Sequence, residues 1–127
     1  MTDIPAHIGA LTLFVEDLPA ARAFYQAVFG IPVHYEDDAS VVFKFGATLV
    51  NLLDVREAPE LVTPAPVAGP EAGVRFQLTV NVEDVDVAVA ELLRRGATLL
   101  NGPMDRPWDI RTASFRDPGG HVWEVAS

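Results

Sequence analysis

Residues 15–30 read VEDLPAARAFYQAVFG, and residues 82–96 read VEDVDVAVAELLRRG. Both stretches follow one plan. An aspartate, Asp17 or Asp84, stands where a helix N-cap belongs, because a short carboxylate can accept from the unpaired N–H groups of the first turn. Pro19 falls in the opening turn of the first helix, where its missing donor is not needed. Ala21, Phe24, Tyr25 and Val28 then recur at helical spacing, and Gly30 suits the left-handed position after the last turn. The second helix is expected over 85–95, with Gly96 following. A strand precedes each helix, at 8–15 and 74–80. In the first, Leu11, Leu13 and Val15 share one face, and Ile8, Ala10, Thr12 and Phe14 the other. Three short strands follow each helix, at 33–36, 40–45 and 48–53, then at 98–101, 112–116 and 122–125. Asp37-Asp38 and Gly46-Ala47 make the turns of the first set.

The chain is thus a tandem repeat of strand, helix and three strands, an α+β fold in one domain of 127 residues. Module one spans about 7–53 and module two about 74–127. Each module leaves one apolar sheet face open, so two copies should pair to bury or share it. Residues 54–73, DVREAPELVTPAPVAGPEAG, carry four prolines and two glycines and read as an exposed connection without a regular element.

The last hairpin, RTASFRDPGGHVWEV over 111–125, sets the chemistry of module two. Asp117-Pro118-Gly119-Gly120 is turn sequence. A two-residue loop at Pro118-Gly119 places Ala113 opposite Glu124 and Phe115 opposite Val122. Arg111, Phe115 and Glu124 then share a face, a carboxylate and a guanidinium on an apolar wall, while Trp123 faces the core.

Composition narrows the function. Half of the residues are hydrophobic, with a formal net charge of −9 and no cysteine. The acidic balance argues against a nucleic-acid partner and suits a cytoplasmic protein or a cationic ligand. Thiolate catalysis, disulfides and cysteine-based metal sites are excluded. No apolar run approaches the roughly 18 residues of a membrane span, and MTDIPAHIG lacks the features of a signal peptide. Phosphate-binding glycine loops, G-x-S-x-G elbows and H-E-x-x-H are also missing from the sequence.

With the two repeats and FRDPGGHVWEV at 115–125 taken in order, the chain resembles the vicinal oxygen chelate superfamily along its whole length. That group includes glyoxalase I, extradiol dioxygenases, fosfomycin-modifying enzymes and bleomycin-resistance proteins. The resemblance implies two βαβββ modules whose curved, mixed sheets form a cup, completed by dimerisation. It also implies where metal ligands would stand, on the first and last strands of each module. Those positions are Ala10, Asn51, Gln77 and Glu124. Only Glu124 matches the usual ligand type; Gln77 is acceptable, Asn51 poor, and Ala10 offers no donor. His7, His34 and His121 do not fall on the required positions. The nearest members are therefore the metal-poor, bleomycin-resistance-like ones, with no cofactor expected.

Taken together, these features lead us to expect a homodimer that sequesters an aromatic or cationic natural product, with Phe14, Asn51, Gln77, Trp108, Arg111, Phe115 and Glu124 lining the site. Trp108, between Pro107 and Asp109, is the candidate stacking wall. The alternative is a lyase, isomerase, thiol transferase or dioxygenase of the same superfamily, with Gln77 and Glu124 as candidate ligands of a divalent metal or Glu124 as a general base.

Overall fold

The computed structural model describes residues 2–127. Module one runs β1 (Ala10–Val15), α1 (Leu18–Phe29), β2 (Val33–Glu36), β3 (Ser40–Phe45) and β4 (Thr48–Asp54). A short α2 (Ala58–Val62) lies in the connection. Module two runs β5 (Gln77–Asn81), α3 (Val85–Arg94), β6 (Leu99–Asp105), β7 (Arg111–Arg116) and β8 (Val122–Ala126). The strand orders, β1-β4-β3-β2 and β5-β8-β7-β6, are equivalent, and β1 and β5 each run parallel to their neighbour. This is the mixed α+β fold of two modules that the repeat implies.

The caps work as their sequence suggests. Asp17 accepts from the Ala20 backbone N–H at 3.0 Å, and Asp84 from that of Val87 at 3.2 Å. Gly30 closes α1 at φ 66°, a conformation glycine adopts without steric cost.

Each sheet buries one face under its helix. Leu13 and Val15 alternate with Thr12 and Phe14, the Phe43 ring stacks on Tyr25 of α1, Leu52 is buried on β4, and Phe115, Trp123 and Val125 are buried on the sheet of module two. These residues belong to one core that joins the modules. At the joint the Phe45 and Trp123 rings stack 5.2 Å apart, and Phe29 approaches Trp123 at 4.7 Å. Tyr25 of α1 completes it: its hydroxyl donates to Asp117 at 2.7 Å and accepts from Trp123 Nε1 at 2.9 Å. Burial, with the Asp117 charge and hydrogen bond adding to it, pushes the Tyr25 hydroxyl far above its ordinary pKa, so it stays a neutral donor.

Three expectations are corrected. The hairpin register moves by one residue. The Asp117 N–H bonds the His121 carbonyl at 2.9 Å, and the Asp117 carboxylate accepts from the N–H groups of Gly119 and His121 at 3.0 and 2.8 Å. The loop therefore holds Pro118, Gly119 and Gly120, with Gly120 at φ 91°. This is the three-residue hairpin closed by a left-handed glycine, not a two-residue one. Phe115 now pairs with Trp123, and Ser114 with Glu124. A slip of one residue exchanges the faces of a strand, so Arg111 and Phe115 leave the face of Glu124.

The connection contains regular structure. Asp54 caps a 3₁₀ turn (Val55–Glu57) by accepting from the Arg56 N–H at 3.0 Å, and α2 follows with Pro59 in its first turn, where proline is tolerated. A second 3₁₀ turn covers Pro70–Ala72.

Strand limits also shift: β1 begins at Ala10 rather than at 8, and the larger changes are in module two. β5 begins at Gln77 rather than at 74, because its partner β8 begins only at Val122, after the turn. β6 extends to Asp105 through what was expected to be loop, by means of a bulge between Asn101 and Met104. Gly102 in that bulge lies so close to β7 that an added Cβ would stand 2.6 Å from the Thr112 carbonyl oxygen. An edge strand accommodates Pro103 at such a bulge.

Candidate functional site on the outer sheet faces

The face of each sheet away from its helix carries the candidate residues. In module one, register aligns Thr12, Asn51, Val42 and Tyr35 across the four strands, with Phe14, Leu49 and Leu53 on the same face. This surface is mainly apolar. Asn51 Oδ1 is buried and has no hydrogen-bond partner.

The equivalent row in module two is Thr79, Glu124, Ser114 and Asn101. Glu124 is held by two neutral donors. Gln77 Nε2 donates to its Oε2 at 3.2 Å, and Thr79 Oγ1 to its Oε1 at 3.0 Å. Farther along, Arg106 reaches over the face from the turn after β6. Its Nε donates to Thr112 Oγ1 at 2.8 Å and its Nη2 to Asn101 Oδ1 at 3.2 Å.

The expected residues divide accordingly. Gln77 and Glu124 come together, and Phe14 and Asn51 share the face of the first sheet. Phe115 is 1 % exposed and packs in the core. Arg111 does not meet Glu124. It grips Asp86 of α3 with two bonds, at 2.8 and 3.0 Å, and Asp105 with a third at 3.1 Å. These bonds raise the Arg111 pKa and hold Asp86 below its ordinary value. Trp108 is 64 % exposed, in a turn closed by the Arg106 N–H on the Ile110 carbonyl at 2.7 Å.

Sequence reasoning missed Arg106, Asn101 and Thr112. The signal lay in RTASFR: Thr112 and Ser114 are small polar residues alternating with Ala113 and Phe115, and the correct loop length aligns them with Glu124.

A divalent ion does not suit this donor set. Ala10 supplies no ligand atom, and Asn51 and Gln77 offer only neutral carboxamides beside the single carboxylate of Glu124. Among the described residues no group of three or more His, Cys, Asp or Glu side chains is placed to hold a metal ion.

The geometry coincides with a known architecture. The model of the Glyoxalase/Bleomycin resistance protein/Dioxygenase superfamily matches residues 6–125. The chain belongs to this superfamily. Among its relatives is the uncharacterized protein YraH of Bacillus subtilis, 32 % identical over 91 % of this chain and 93 % of that one. A glyoxalase/bleomycin resistance protein/dioxygenase from Nocardioides superposes with a TM-score of 0.85 at 26 % identity, over 98 % of this chain and 85 % of the other. A lactoylglutathione lyase from Agrobacterium tumefaciens is also 26 % identical, with a TM-score of 0.76 over 98 % and 95 % of the two chains. The chain thus keeps the two-module frame of this superfamily, and at the first-strand position where the resemblance implied a metal ligand it carries Ala10.

Proposed function

We propose that this superfamily member is a small-molecule binder that acts by sequestration, without a metal, and does so as a homodimer. The observation that carries the reading is the state of Glu124. Its two oxygens are fixed by Gln77 and Thr79, which aims a charge at the outer face as a hydrogen-bonding cradle. A carboxylate oxygen can accept more than one bond, so Glu124 retains capacity for a ligand cation. The apolar surface around Phe14, Leu49 and Leu53 supplies area for an aromatic body, with few polar groups to orient it, as is usual for such sites. Trp108, exposed on its turn, is available for stacking. The net charge of −9 draws cations over a distance that salt shortens.

A second copy fits the same reading. In one chain β1 and β5 each pair on one side only, and an unpaired strand edge is a surface that a second copy can cover.

The test is elemental analysis of protein purified without chelator, followed by titration with aromatic cationic natural products read by tryptophan fluorescence. The expected result is binding that chelators leave intact and that Trp108→Ala weakens by about tenfold, the loss of one well-stacked ring. Near-stoichiometric metal, or unchanged affinity in Trp108→Ala, overturns it. Sedimentation at micromolar concentration should give twice the chain mass.

The likeness to a lactoylglutathione lyase favours a second reading, in which Glu124 takes a proton from a bound substrate. Under that reading, Glu124→Gln abolishes turnover while leaving substrate binding in place.

A further inference from the structure

The sequestration reading leaves the ligand's own charges open, and Arg106 defines them. Arg22, Arg56, Arg94, Arg95 and Arg111 each lie against a carboxylate. Arg75 and Arg116 are exposed and, among the described residues, make no ion pair, whereas Arg106 is tethered. Half-buried, it has only the Thr112 hydroxyl and the Asn101 carbonyl as partners, and among the described residues no carboxylate pairs with it. Both partners are neutral, so its charge is oriented by them and not held in a direct ion pair.

The orientation matters. A guanidinium presents five N–H donors in a planar fork. Nε and Nη2 spend one bond each on Thr112 and Asn101. The end of the fork, formed by Nη1 and the second hydrogen of Nη2, retains free donors. That edge matches an oxyanion bidentately. Thr112 and Asn101 project from the same sheet face as Glu124, since Thr112 pairs with Ala126, two residues along from Glu124, and Asn101 pairs with Ser114, which pairs with Glu124.

Opposite charges therefore share one face without neutralising each other. Glu124 is on β8, whereas Arg106 is anchored over β7 and β6. At the usual strand spacing their separation across the sheet is roughly 5–10 Å. Separate neutral tethers hold each in place and keep them from collapsing into an ion pair.

We infer that module two recognises a zwitterionic ligand, with a cationic group on Glu124 and a carboxylate or other oxyanion on Arg106. The assignment rests on the reading of this face as a ligand site and restricts it: a purely cationic compound uses half of the site. The loop that delivers Arg106 also carries Trp108, so the anionic end and the stacking ring are presented by one turn.

Four probes test it: 6-aminohexanoate, whose charges are well separated; glycine, whose charges are adjacent; and the single-charge controls hexylamine and hexanoate. Binding is followed by shifts of backbone amides on β6–β8 and of the arginine Nε–H resonances. The expected order places 6-aminohexanoate about tenfold tighter than hexylamine or glycine, the gain of one charge-assisted pair. Arg106→Gln should reduce 6-aminohexanoate to the affinity of hexylamine, and Glu124→Gln to that of hexanoate. Arg106→Lys, which keeps the charge without the fork, should fall between. Thermal midpoints of the variants check that each remains folded. Equal affinity for hexylamine and 6-aminohexanoate, or an Arg106→Gln variant that binds 6-aminohexanoate as before, overturns the zwitterion assignment while hexylamine binding at Glu124 upholds the site. Failure of all four probes to perturb this face overturns both.

Discussion

The two modules share strand order, helix caps and a buried face, yet their outer faces have gone separate ways. Module one sets Asn51 in an apolar surface with its side-chain oxygen buried and unpaired. Module two sets Glu124 at the equivalent place with both oxygens satisfied, and adds Arg106. The inner faces lack this freedom because they meet in one core, where Trp123 of one module packs on Phe45 and Phe29 of the other. A change there is felt on both sides, whereas a change on an outer face is felt on one. Duplication thus supplied a fixed interior and two independently variable surfaces.

The largest expected effect tests the shared interior. Trp123→Ala removes a side chain that is 3 % exposed at the joint and should cost about 3–5 kcal/mol. In urea, signals from the two modules should disappear together. If module one outlasts module two, the claim of one core is broken. Tyr25→Phe is the milder version. It deprives the Asp117 carboxylate and the Trp123 indole of a partner and should cost about 2 kcal/mol in the same measurement.

The outer faces should respond to different extents. Asn51→Leu removes a buried acceptor that has no donor and should raise stability by about 1 kcal/mol. Glu124→Leu frees Gln77 and Thr79, both exposed, to bond water instead, and should stay within about 0.5 kcal/mol. A destabilised Asn51→Leu would show that the Asn51 oxygen finds a partner in solution, and the contrast between the faces would need redrawing.

How much of this was legible in the sequence follows from what sets each feature. The caps, α1 and the strands of module one depend on local residues, and Asp17, Gly30 and the alternation from Leu11 to Val15 were sufficient to place them. The face of Glu124 depends on loop length. Asp117-Pro118-Gly119-Gly120 is compatible with two loops, and the choice between them rests on hydrogen bonds from Gly119 and His121 to the Asp117 side chain, which no pattern of hydrophobicity encodes. The pairing of Arg111 with Asp86 lay out of reach for the same reason: α3 and β7 meet only in three dimensions. Arg106 was hidden twice, by the register and by a bulge at Gly102 that turns an apparent loop into strand.

The smallest effect compares the ion pairs that fasten each helix to its sheet. In module one Arg22 of α1 holds Glu36 of β2 at 2.8 Å, and in module two Arg111 of β7 holds Asp86 of α3 at the same distance. Hydrogen bonding to the arginine lowers the pKa of both carboxylates below their ordinary values, 4.5 for Glu36 and 3.8 for Asp86. A carboxyl group with a depressed folded-state pKa binds its proton more weakly when folded than when unfolded. Its stabilisation is therefore complete above the ordinary value and is lost as pH falls through the depressed one. The thermal midpoint should drop across that acid range, and added salt should flatten the drop because both pairs are partly exposed. Each variant should remove one pair's share. Glu36→Gln takes away the carboxylate that, among the described residues, lies against Arg22, and Asp86→Asn takes away the one that ties α3 to Arg111, so each should flatten its own part of the acid drop. A variant that leaves the drop unchanged would mean that its pair contributes nothing, and that its module holds the helix to the sheet by packing alone.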